Sequence, residues 1–93
     1  MKVTFVGYFA DKQEFVRQDE QTAIILGDPT VPYGFWKAIE HMRKGEKALV
    51  MIKPKWGFNH PEFRLKLKIP EGWEDPDRLR LLRKRRVFYE IKL

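Results

Sequence analysis

Apolar and polar residues interleave from Lys2 to Phe9, a polar turn follows at Asp11–Lys12, and the apolar pattern resumes at Phe15 and Val16. That pattern predicts a strand, a turn and a returning strand. Arg17 to Gln21 (RQDEQ) is wholly polar and reads as a loop or bulge. Thr22 to Leu26 (TAIIL) reads as a short strand closed by Gly27–Asp28–Pro29. Phe35, Ile39 and Met42 recur at helical spacing and predict a helix over Tyr33–Met42. Pro32 precedes its first turn, where a missing N–H costs nothing, and Arg43, Lys44 and Gly45 form a C-terminal stop. Lys47 to Lys53 (KALVMIK) predicts an apolar strand ended by Pro54.

Beyond Trp56 the pattern changes. Phe63, Leu65, Leu67 and Ile69 alternate with Arg64, Lys66 and Lys68, which predicts a half-buried strand. Pro70–Glu71–Gly72 is a turn. Asp75–Pro76–Asp77 is a helix start, with Leu79 and Leu82 on the inward face. Val87, Tyr89, Ile91 and Leu93 share one face of a last strand over Arg86–Leu93. Several antiparallel strands, one clear helix and a second near the C-terminus describe an α+β domain in which a helix covers one face of a curved sheet.

Composition agrees with a single ordered domain over residues 1–93. Hydrophobic residues make up 43% and aromatic residues 14%, well clear of disordered chains. Thirteen rings in 93 residues cannot all face water, so some line a core or a pocket. The absence of cysteine excludes disulfides, thiolate nucleophiles and cysteine-ligated zinc. No apolar run approaches the ~20 residues of a membrane span. The opening MKVTFVGYF lacks a secretory pattern, and a cytoplasmic protein is expected. The net charge of +6 favours encounters with anionic partners without constraining the fold.

Several short segments, in order, resemble the FKBP-type immunophilins, the macrolide-binding peptidyl-prolyl isomerases. Val3–Phe9 is similar to the family's early strand with its VHYTG-like motif, and Phe15 falls where the family keeps a phenylalanine. Leu26–Gly27 resembles a Leu-Gly step leading to the pocket. Val31-Pro32-Tyr33-Gly34-Phe35 resembles the Val-Ile-x-Gly-Trp entry into the helix. Met42–Lys47 resembles the helix exit, Ile52–Phe58 the I-x-P-x-x-x-[YF] motif, and Val87–Ile91 the closing strand. The resemblance covers roughly two thirds of the chain. It implies an FKBP-like curved antiparallel sheet wrapped around one short helix. The family's first strand is missing, and residues 59–86 form a divergent insertion.

The resemblance also implies a function: peptidyl-prolyl cis-trans isomerisation, with X-Pro segments held in an aromatic pocket and no cofactor or metal. Carried over by position, the pocket comprises Phe5, Phe15, Val31, Pro32, Phe35, Phe58 and Tyr89, with Phe35 as its floor. Val31 and Pro32 would present backbone groups, although Pro32 has no N–H to donate. The family's first pocket Tyr is Phe5 here, the acid after the conserved Phe is Val16, and the distal loop Tyr is Phe58. The family's Tyr–acid hydrogen bond is thus replaced on both sides by apolar groups, an exchange that can be nearly neutral for stability. Weak isomerase activity and weak macrolide binding are expected. The alternative is a catalytically degenerate module that binds a protein partner, through a sheet edge beside Lys2–Phe9 able to accept a strand.

Arg78 to Arg86 carries Arg78, Arg80, Arg83, Lys84, Arg85 and Arg86. Such a patch suits phosphate, but a solvated helix is the plainer reading and nucleic acid the less favoured partner. Glu71, Glu74, Asp75 and Asp77 lie just upstream as neutralising candidates. His41 and His60 have no second ligand at metal spacing and read as surface residues. Asp19–Glu20 reads as a solvated pair.

Overall fold

The computed structural model describes residues 2–93. Strands β1 (Lys2–Phe9), β2 (Glu14–Ala23), β3 (Lys47–Ile52) and β4 (Val87–Lys92) form one antiparallel sheet in the order β2-β1-β4-β3. Helix α1 (Tyr33–Glu40) crosses between β2 and β3, and α2 (Pro76–Lys84) precedes β4. The architecture is α+β, as the pattern predicts.

Alternation explains the inward face. Val3, Phe5 and Phe9 of β1 and Val87, Tyr89 and Ile91 of β4 are buried, because every second residue of a strand points to the same side. From α1 they meet Phe35, Trp36 and Ile39. The predicted helix stripe is buried in full, Met42 included. The helix itself is shorter than the spacing predicts. His41 and Met42 bond back three residues, to Ala38 and Ile39, a tightening that commonly ends a helix. Arg43 and Lys44 lie beyond it, in a turn that Gly45 completes at φ +86°.

β1 is an interior strand, paired with β2 on one side and β4 on the other. The open edge expected beside Lys2–Phe9 is therefore absent. The chain's last strand returns to fill that place, and the free edges belong to β2 and β3.

RQDEQ lies within β2 rather than in a loop, at a slip of register between Val3–Thr22 and Phe5–Gln18. A second slip has more consequence. Gly7 pairs with Val16 and Tyr8 with Glu14, so Phe15 is the extra residue of a β-bulge. A bulge re-aims the side chain it inserts, and here the Phe15 ring is turned into the core.

The segment Phe63–Ile69 is not a strand. Its amides bond locally, Arg64 N–H to the His60 carbonyl and Lys66 and Leu67 N–H to that of Phe63. Leu65 is left 81% exposed while Leu67 is buried. One longer bond, from the Lys68 amide to the Pro29 carbonyl at 2.7 Å, ties the segment to the loop before α1. TAIIL likewise leaves the sheet at Ala23: Ile24 is buried, whereas Ile25 and Leu26 face solvent.

Candidate functional site

The ring cluster is assembled from four elements. β1 supplies Phe5, the β2 bulge Phe15, α1 Phe35 and β4 Tyr89. Phe5 and Phe35 meet edge to face at 5.0 Å between centroids, Phe35 and Tyr89 at 5.1 Å, and Phe15 and Tyr89 at 5.7 Å. Phe58 stands edge-on to Phe15 at 5.8 Å. Such pairs contribute about 0.5–1.5 kcal/mol each beyond their buried area. Val31 and Pro32 at the entry to α1 are fully buried. All seven carried-over residues are therefore buried in the interior.

Open space lies beside them. A cavity of about 330 Å³ is lined by Phe5, Val16, Ile24, Thr30, Ile69 and Pro70, with Lys68, Glu71 and Glu74 among its polar lining residues. Phe5 is the one carried-over residue on its wall. Val16, which stands where the family has an acid, shares that wall with Phe5, so the two apolar replacements face the same space. Nothing in the sequence marked Ile24, Thr30 or the Ile69–Pro70 pair as cavity-lining residues. Nor did anything mark Trp73, whose indole closes the cluster against Phe9 at 5.3 Å and Phe15 at 6.4 Å. Ile24 and Trp73 are buried, Ile69 and Pro70 partly so and Thr30 exposed, and their placing depends on irregular segments outside the helices and strands.

The polar groups around the cavity are largely engaged. The Asp28 carboxylate accepts from both the Thr30 hydroxyl at 2.6 Å and the Thr30 amide at 2.9 Å. The Pro32 carbonyl accepts from the Phe35 amide at 3.0 Å, as the first bond of α1. The Asp28 carbonyl accepts from the Trp36 indole N–H at 3.0 Å. Glu74 accepts from the Gly72 amide at 3.1 Å. Burial pushes the Tyr89 hydroxyl far above its ordinary pKa, since desolvation disfavours the phenolate. The cavity is thus an apolar-floored space with an ionic rim. Among the described residues no group of three or more His, Asp or Glu is placed to hold a metal.

A second aromatic cluster occupies the other side of α1. Phe63 stacks on Tyr33 at 5.9 Å with only 11° between planes, and meets Trp36 at 5.3 Å. His60 lies 4.8 Å from Phe63 and 5.0 Å from Tyr33. His60 is 8% exposed, so it is a packing residue and not a surface one. Its Nδ1 accepts from the Glu62 amide at 3.1 Å, which satisfies the buried ring atom. His41 is exposed.

The basic run forms α2 and the two residues before β4. Leu82 is buried and Leu79 partly so, while Arg78, Arg80, Lys84, Arg85 and Arg86 are exposed and Arg83 is half-buried.

The family model for FKBP-type peptidyl-prolyl cis-trans isomerases matches residues 1–93. Over 75 residues, 80% of the chain, it is 35% identical to the peptidyl-prolyl cis-trans isomerase FKBP4 of Bos taurus. Those residues span 16% of that relative's length. No helix among the described residues is long and apolar enough to cross a membrane. With a family match over its whole length, on an antiparallel sheet that packs a short helix beneath interlocked rings, the chain belongs to the FKBP-type peptidyl-prolyl cis-trans isomerase family.

Proposed function

We propose that the chain is a prolyl-peptide-binding domain with weak cis-trans isomerase activity, working in the cytoplasm, and that the 330 Å³ cavity over Phe5 and Val16 is its site. The observation that carries this reading is an open space walled on one side by Val16, Ile24, Ile69 and Phe5, the last interlocked with Phe35 and Tyr89, and rimmed by polar residues. Rotation about an X-Pro bond needs no nucleophile, base or metal. Its barrier of about 20 kcal/mol arises from amide conjugation, and an apolar wall that strips water from the amide favours the twisted, less conjugated form. Phe5, Val16, Ile24 and Ile69 supply such walls. Turnover is weak because neither position 5 nor position 16 offers a polar group to orient the substrate, and Pro32 has no amide to donate. Macrolides bind weakly for the same reason.

A proline-limited peptide assay tests this. The parent chain gives a small acceleration over the uncatalysed rate, and Phe5→Tyr with Val16→Asp raises it. If neither protein accelerates the reaction while a prolyl peptide still shifts the amide resonances of Thr30 and Ile69, the domain is a non-catalytic binding module of the same fold. If no prolyl peptide perturbs those resonances, the cavity is not a peptide site.

A further inference from the structure

We propose that the outward side of α2, continued by Arg85 and Arg86, is a binding surface for the phosphate backbone of nucleic acid. The inference is independent of the isomerase reading. Nine residues carry six cations and no acid, and among the described residues none of Glu71, Glu74, Asp75 and Asp77 forms an ion pair with them. The Asp75 carboxylate caps the helix by accepting from the Arg78 amide, and Glu74 takes the Gly72 amide. Arg78 donates to the Gly72 carbonyl at 2.9 Å and lies over the Trp73 ring. Arg85 reaches Asp11 only at 3.9 Å. Among the described residues Arg80, Arg83, Lys84 and Arg86 have no carboxylate partner.

Geometry concentrates this charge. With Leu79 and Leu82 turned inward, helical spacing puts Arg80 and Lys84 together on the opposite side, one turn apart. Arg83, half-buried, flanks them. The preponderance of arginine suits phosphate, which the planar fork grips with two bonds.

One observation favours nucleic acid over a lipid surface. The apolar side of α2 already faces the core, and among its leucines only Leu81, 39% exposed, is left to enter a membrane. Interfacial helices need a full apolar face for that. Exposed rings do not interleave with the cations, so contact is with the backbone and not with stacked bases. Binding is therefore indifferent to sequence and sensitive to salt.

Fluorescence anisotropy with a short labelled DNA duplex of mixed sequence tests the proposal. Each phosphate neutralised contributes about −0.9 to the slope of log K against log salt. Four cations give a slope near −3.6, roughly a hundredfold loss of affinity between about 50 and 200 mM salt. Arg80→Gln with Lys84→Gln, both solvent-exposed, makes the slope shallower by about 2 and leaves circular dichroism and thermal unfolding unchanged. The proposal is overturned by absent binding at the lower salt, or by an unchanged slope in the double variant. Tighter binding to phosphatidylserine vesicles or to polyglutamate than to the duplex overturns it equally.

Discussion

Gly7 stands opposite the β2 bulge, and its missing side chain makes the ring cluster possible. A Cβ built on Gly7 would fall 2.7 Å from Phe15 Cζ, 2.7 Å from Val16 Cγ1 and 3.1 Å from Phe15 Cε1. Ordinary carbon contacts are about 3.5–4.0 Å, so in Gly7→Ala the ring must retreat by roughly 1 Å. Val16 can turn about its χ1, but Phe15 has nowhere to go. Its ring is held by Phe9 at 5.1 Å, Tyr89 at 5.7 Å, Phe58 at 5.8 Å and Trp73 at 6.4 Å. Overpacking of this kind costs about 1–3 kcal/mol. Against it, alanine in a strand recovers about 0.5–1 kcal/mol of chain entropy relative to glycine. Because the Phe15 ring cannot yield, the upper part of the overpacking range applies, about 2–3 kcal/mol, and a net loss of about 1–2.5 kcal/mol follows, which for a chain of this size lowers Tm by about 4–8 °C per kcal/mol. Urea unfolding followed by tryptophan fluorescence measures it. The double variant Gly7→Ala/Phe15→Leu removes the clashing end of the ring, so its loss is smaller than the sum of the single losses by at least ~0.5 kcal/mol. Strict additivity, or a Gly7→Ala protein as stable as the parent, would refute the packing argument.

Two further outcomes are expected. Asp75→Ala removes the acceptor for the Arg78 amide, costs about 1 kcal/mol and speeds amide exchange in the first turn of α2, whereas Asp75→Asn stays close to the parent. Alkali destabilises the fold through Tyr89. Its folded pKa is raised by burial, so the unfolded chain releases that proton first and stability drains away above the ordinary tyrosine value of about 10. Unfolding free energies across that range show a fall that Tyr89→Phe largely removes, and an equal fall in that variant would count against the assignment.

Much of this fold is legible in local pattern. β1, α1, α2 and β4 follow from periodicity and end signals, because a strand face and a helix stripe repeat within a few residues and need only one apolar side to bury. The Phe63–Ile69 segment shows where such reasoning stops. Its alternation suits a strand, yet a strand also needs a partner ladder, and local turns and the pull of Phe63 toward Tyr33 and Trp36 win instead. The open edge assigned to β1 fails for a related reason: strand order depends on where the far end of the chain returns.

The aromatic residues of the ring cluster could be named from the sequence, since position and residue type carry the family resemblance. Which of them face open space could not. Val31, Pro32, Phe35 and Tyr89 are buried and lie off the cavity wall. The cavity wall is completed by Ile24, Thr30 and Ile69–Pro70, brought there by the bond from Lys68 to Pro29. The burial of His60, the closure by Trp73 and the placing of Phe15 over Gly7 share that character. Each rests on contacts between residues far apart in the chain, and the free energy that holds them exists only once the whole interior has packed.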